Sequence, residues 1–158
     1  MSDLNISVRS LLIPMVQDKL FLPNASLAEV VAYSDPVAVD DGPDWCLGML
    51  EWRGMLVPLV SFEALHEAPQ ADITRKNRIA VFNSLSNNKK LPFFAMLVQG
   101  LPHLILANQS VVSTLAEDTG EEVAVKAHVL VEAEPAVIPD LDIIESMIVK
   151  DKAISKRL

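Results

Sequence analysis

The sequence predicts an all-β protein with a few short helices. Three observations predict it. About ten short apolar runs are separated by Pro, Gly, Asn and Asp signals at roughly 8–12-residue spacing, the rhythm of a barrel or sandwich. Between Val123 and Val131, Val and Ala alternate with Ala124, Lys126, His128 and Leu130, a period of two that marks a half-buried strand. Strands do not alternate with long helical patterns, which argues against a doubly wound α/β fold.

Residues 9–16 and 19–22 read as two strands around a turn at Gln17-Asp18. Residues 26–33 fit a strand or a short helix, and periodicity does not decide between them. Residues 35–44 hold Pro36, Pro43, Gly42 and four aspartates, the composition of a loop. An apolar run around Gly48 follows, then a turn over Glu51-Trp52-Arg53-Gly54. Residues 55–60 form a strand, with Pro58 favouring an edge or a strand end. Residues 61–66 make a helical turn or two. Residues 77–83 and 91–98 form a hairpin around a polar turn with Asn87-Asn88 at its tip, since Asn tolerates positive φ. A turn at Gly100 then joins residues 91–98 to a short strand at 104–106. Leu141, Ile144, Met147 and Ile148 sit at helical spacing, with Asp140 and Asp142 at the favourable N-terminal end. Residues 149–158 are charged and expected to fray.

The 158 residues favour one domain with a core of its own, centred on about residues 9–148. Thirteen Lys and Arg against 21 Asp and Glu give a net charge of −8, which argues against nucleic acid. The densest basic stretch, Arg75, Lys76 and Arg78 with Lys89 and Lys90, reads as a solvated strand edge and turn. One cysteine, Cys46, excludes an internal disulfide and a four-cysteine zinc site. Asp3 stands where a signal peptide wants positive charge, so a cytoplasmic location is expected. Residues 91–116 carry no charge, yet Gln99-Gly100 and Pro102-His103 would break the backbone near a bilayer centre. Two buried strands joined at Gly100 explain that run without membrane insertion.

Searches for catalytic chemistry give little. Five glycines, widely spread, build no phosphate cradle, and there is no nucleophile elbow. His66, His103 and His128 lack metal-ligand spacing. Cys46, between Trp45 and Leu47, reads as a small buried hydrophobe rather than a nucleophile. Asp40-Asp41 reads as solvated turn chemistry. No catalytic, cofactor or metal residue is assigned.

The informative stretch is residues 47–63. Gly48 and Gly54 are expected to serve its turns, Gly54 by supplying positive φ. Arg53 would then project at a loop tip beside Trp52, and an exposed Trp-Arg pair suits an interface hot spot. Equally, Trp52 packs on a barrel end and Arg53 pairs with Glu51 or Glu29.

An ordered set of pieces carries a resemblance. A strand pair precedes Leu27-Ala28-Glu29-Val30-Val31. After a Pro-rich loop come Leu47-Gly48-Met49, Trp52-Arg53-Gly54 and Val57-Pro58-Leu59-Val60. This order resembles the CheW-like chemotaxis coupling domain. Glu51-Trp52-Arg53-Gly54 and the run from Pro58 to Glu63 look closest to the ChpC-type branch, which accompanies type IV pilus chemosensory systems and twitching motility. The resemblance implies two packed small five-stranded β-barrels. It implies a non-enzymatic adaptor without cofactor, bridging the regulatory domain of a chemotaxis histidine kinase to the cytoplasmic tip of chemoreceptors. The family's functional arginine falls on Arg53 and its glutamate on Glu29, with Trp52 as a further partner-binding candidate. Glu51 and Trp52 replace the family's usual aliphatic residue and asparagine, which points to a subset of receptors or an auxiliary role. Two other classes stay open. One is a small-molecule-binding barrel lined by residues 91–106. The other is a hydrolase using His103 or His128 with an acid.

Overall fold

The computed structural model describes residues 7–66, 72–86, 88–114 and 122–158. Asp3 and Asn87 therefore lie outside the described residues. In chain order the strands are β1 (Val8–Pro14), β2 (Lys19–Pro23), β3 (Leu27–Ala32), β4 (Cys46–Trp52), β5 (Met55–Val60), β6 (Arg78–Asn83), β7 (Phe93–Val98), β8 (His103–Ala107), β9 (Val112–Thr114), β10 (Val125–Val131) and β11 (Glu134–Pro139). The helices are α1 (Phe62–Leu65), α2 (Leu141–Lys150) and α3 (Lys152–Ser155). The strands form a six-stranded sheet, ordered β8-β1-β2-β11-β10-β9, and a five-stranded sheet, ordered β3-β6-β7-β5-β4. Neighbours run antiparallel except β2–β11 and β5–β7. The all-β expectation with short helices stands, with one five-stranded half and one of six.

Alternation along the strands sends side chains to opposite faces, and here both faces are buried. In β7, Phe94, Met96 and Val98 enter a large central core, while Ala95 and Leu97 enter a second cluster inside the five-stranded sheet. In β6, Ala80 and Phe82 face the central core, and Ile79 and Val81 the second cluster. Leu11 and Ile13 of β1 join the central core, whereas Leu12 joins a third cluster inside the six-stranded sheet with Phe21, Val129 and Val131. Strands buried on both faces read as continuous apolar runs. That is why residues 91–98 look uniformly hydrophobic. Phe82 and Phe94 stack with ring centroids 5.5 Å apart at the centre.

Two buried carboxylates fasten loops to this core. Glu145 of α2 accepts from the backbone N–H of Leu85 and, at 3.1 Å, of Ser86. Glu63 of α1 accepts from the Val16 N–H at 3.0 Å. Each satisfies backbone donors that burial would otherwise strand.

One open choice is settled and several expectations are corrected. Residues 27–32 are a strand, preceded by a single 3-10 turn over Asn24–Ser26. Residues 91–98 and 104–106 do hold two successive strands, but only the first is buried. β7 is in the five-stranded sheet, whereas β8 is an edge of the other, with Leu104 and Leu106 more than half exposed. The alternation begins at Val125, not Val123. Ala124 is buried at φ +58°, Val123 faces solvent, and a bulge interrupts β10 between Val125 and Ala127. The C-terminal stretch does not fray. Asp151 caps α3 through the Ile154 N–H at 3.0 Å, and Ile154 is 0 % exposed in the central core. Charge around one apolar anchor hid that docking. Among the described residues, no helix is long and apolar enough to cross a membrane.

Candidate functional site

The β4–β5 hairpin pairs Trp52 with Met55, leaving Arg53 and Gly54 as a two-residue turn. Both have positive φ, +48° and +77°. Such turns match the right-handed twist of the strands they join. Gly54 takes this conformation freely, whereas Arg53 does so at a cost of about 1 kcal/mol or more. Arg53 is thus held in a sparsely populated conformation at the tip of a rigid hairpin.

Its neighbours over-determine that conformation. The Arg53 guanidinium lies 4.8 Å from the centroid of the Trp52 ring and donates to Glu29 Oε1 at 3.1 Å. Trp52 Nε1 donates to the same oxygen at 3.0 Å. Phe93 supports the indole edge-on, with centroids 4.8 Å apart. Glu29 is on β3 and Trp52 on β4, the two outer strands of the five-stranded sheet. The shared carboxylate therefore bridges the sheet's two outer strands, which the curl of the sheet brings together. The Arg53 side chain remains 67 % exposed and that of Glu29 39 %. A pair so exposed contributes only about 0–1 kcal/mol, so its main effect is to fix where the guanidinium points.

The structure distinguishes the residues that the sequence grouped together. Arg53 projects into solvent as expected. Trp52 does not: at 9 % exposure it is a platform beneath Arg53, which corrects the exposed-pair reading. Of the two acids considered, Glu29 rather than Glu51 holds Arg53. Gly48 is not in a turn. It lies within β4, at a bulge opposite Leu59, with φ +144°. A Cβ there would come within 2.5 Å of the Val37 carbonyl oxygen. Val37 and Met49 exchange backbone hydrogen bonds of 2.9 and 2.7 Å across this contact. Gly48 thus lets the acidic loop lie against β4. Phe93 is the supporting residue that the sequence did not reveal, because an aromatic at the start of an apolar strand carries no mark of its partner.

The remaining candidates stand apart from this cluster. Cys46 is half-buried, and burial pushes its thiol above the usual range, away from the reactive thiolate. His103 is exposed on β8. His128 contacts Glu122 at 2.7 Å and shares a small cavity of about 100 Å³ with His66. Among the described residues, no group of three or more His, Cys, Asp or Glu is arranged to hold a metal.

Comparison with known proteins supplies the lineage. The crystal structure of the scaffolding protein TtCheW from Thermoanaerobacter tengcongensis superposes with a TM-score of 0.70, at 13% identity, over 85% of this chain and 89% of that one. At that identity the likeness is one of fold. A search of curated proteins finds no match. The CheW-like domain family matches residues 9–147, which span both sheets, the Arg53 turn and most of α2. The chain belongs to the CheW-like domain family.

Proposed function

We propose that this protein is a non-enzymatic adaptor that couples chemoreceptors to a chemotaxis histidine kinase, with Arg53 as its presented contact. At the level of the family, CheW-like proteins are scaffolds of chemotaxis signalling rather than enzymes. The observation that carries the assignment of Arg53 is its geometry. A cation is held at positive φ on a rigid hairpin, backed by an indole and aimed by a carboxylate, yet is two-thirds exposed. Preorganisation of this kind lowers the entropy lost on docking. The proposed partners are the kinase regulatory domain and the receptor's cytoplasmic tip, which would place the protein in the cytoplasm beside membrane arrays. The Glu51-Trp52-Arg53-Gly54 variant supports a ChpC-type role in a type IV pilus pathway.

Calorimetric titration with the kinase regulatory domain, and with receptor-tip fragments, tests this reading. Arg53→Glu should weaken binding by at least about tenfold, ~1.4 kcal/mol, with an unchanged circular dichroism spectrum. Glu29→Ala should weaken it less, because the cation remains but is no longer aimed. Full-strength binding by Arg53→Glu to both partners would remove Arg53 from the interface.

One observation favours a second reading as a small-molecule binder. A cavity of about 840 Å³ opens at the end of the six-stranded sheet, lined by Ser10, Phe21, Leu22, Leu85, Val112 and Ile138 among others. That is the size of a ligand pocket. The expected lining by residues 91–106 is not found, because β7 is in the core and β8 faces outward. A metabolite that raises the melting temperature, and loses that effect in Phe21→Ala, would support this reading.

A further inference from the structure

His66 closes α1, and its imidazole is held between two backbone carbonyls. Nδ1 lies 3.0 Å from the Phe62 oxygen and Nε2 lies 2.7 Å from the Val123 oxygen. A carbonyl oxygen only accepts, and a neutral imidazole carries one N–H. Both contacts are hydrogen bonds only when the ring is the doubly protonated imidazolium. The surroundings suit a cation. The Phe62 ring meets the imidazole edge-on, with centroids 4.6 Å apart. The charged and titratable groups around the adjoining cavity are Glu63 of α1, Asp18 of the β1–β2 turn, Glu122 before β10 and His128 of β10. Three of the four are carboxylates.

The two carbonyls belong to different parts of the fold. Phe62 follows β5 of the five-stranded sheet, and Val123 leads into β10 of the other. We propose that His66 is a proton-operated clasp between the two halves. Protonated, it donates from both nitrogens and pins the segment before β10 against α1. Once it loses a proton, one nitrogen presents a lone pair to a carbonyl oxygen, and one contact opens. The contact to Val123 is the one that yields, because Phe62 sits four residues away on the same helical turn. The clasp is therefore closed while the ring carries both protons and opens once it has lost one. Opening reaches further than one residue. The Ala124 carbonyl, next in the chain, accepts from the Asp140 N–H at 2.7 Å, and Asp140 caps α2. The proton thus biases the packing of α2 as well as the join between the sheets.

Two measurements on the full chain test the clasp. Long-range nitrogen–proton NMR should show both His66 ring nitrogens protonated at about pH 5.5 and one at about pH 8. Hydrogen exchange at the Val125 amide, corrected for intrinsic rate, should be slowed about tenfold more at the lower pH. That difference should persist in His128→Gln, which removes the Glu122 pair, and vanish in His66→Gln. A single protonated ring nitrogen at pH 5.5 overturns the proposal. So does a pH difference that survives His66→Gln. Should His66→Gln not fold, the ring spectrum of the unaltered protein decides alone.

Discussion

Replacing Gly48 by alanine should be far more damaging than the same change at Gly54, although both glycines have positive φ. At Gly54 (φ +77°) an added Cβ meets nothing within 4 Å. Only the conformational cost remains, about 1 kcal/mol. At Gly48 the Cβ would sit 2.5 Å from the Val37 oxygen, 2.8 Å from its carbonyl carbon and 2.9 Å from Pro36 Cβ. Two of these are backbone atoms, so no side-chain rotation relieves the clash. Either the loop lifts off β4 and loses the paired Val37–Met49 hydrogen bonds, or β4 shifts into the core beside Met49. Backbone strain of about 1–3 kcal/mol and overpacking of similar size combine to ~2–6 kcal/mol. Against a total stability of about 5–15 kcal/mol that is a large fraction. Urea unfolding followed by tryptophan fluorescence measures both variants, since Trp45 packs on the central core and Trp52 on the second. Gly48→Ala should lower the midpoint several times more than Gly54→Ala, with a similar slope. Equal losses at the two positions would refute the close-approach account of Gly48. A loss confined to one fluorophore would show that the central core and the second cluster do not unfold together.

Two other outcomes follow from the packing and the charges. Ile154→Ala should cost about 2–5 kcal/mol by urea unfolding, the cost of a core cavity; a change below about 0.5 kcal/mol would return the C-terminus to the frayed reading. Lys19 bonds Glu134 at 2.6 Å and holds its carboxyl below the usual carboxylate range. Its folded pKa being depressed, the stabilisation is present above the unfolded value near 4.5 and is lost as pH falls through the folded one. Glu134→Gln should therefore flatten the acid limb of the stability profile, an effect that 1 M salt should largely mimic. A limb that is unchanged in this variant would mean that other carboxylates carry it.

What the sequence made legible depended on how much of each signal was local. The β6–β7 hairpin and the capped α2 are short-range features, and both stand as read. The link from β7 to β8 fails because hydrophobicity alone does not say which sheet a strand joins. Leu104 and Leu106 read as core from their chemistry, yet lie outward on an edge. β11 escaped notice for two reasons: Pro135 and Pro139 bracket it, and the turn before it uses Glu132 and Ala133 at φ +51° and +68° where glycine or asparagine would announce a hairpin. The candidate site shows the same division. Gly54 identifies the Arg53 turn from three adjacent residues. The partnership with Glu29 spans 24 positions and exists only because β3 and β4 become the outer strands of one curled sheet. Arg53 beside Glu51 and Arg53 beside Glu29 are equally good readings of the linear chain. The choice between them is made by sheet order, and with it the direction in which the guanidinium points.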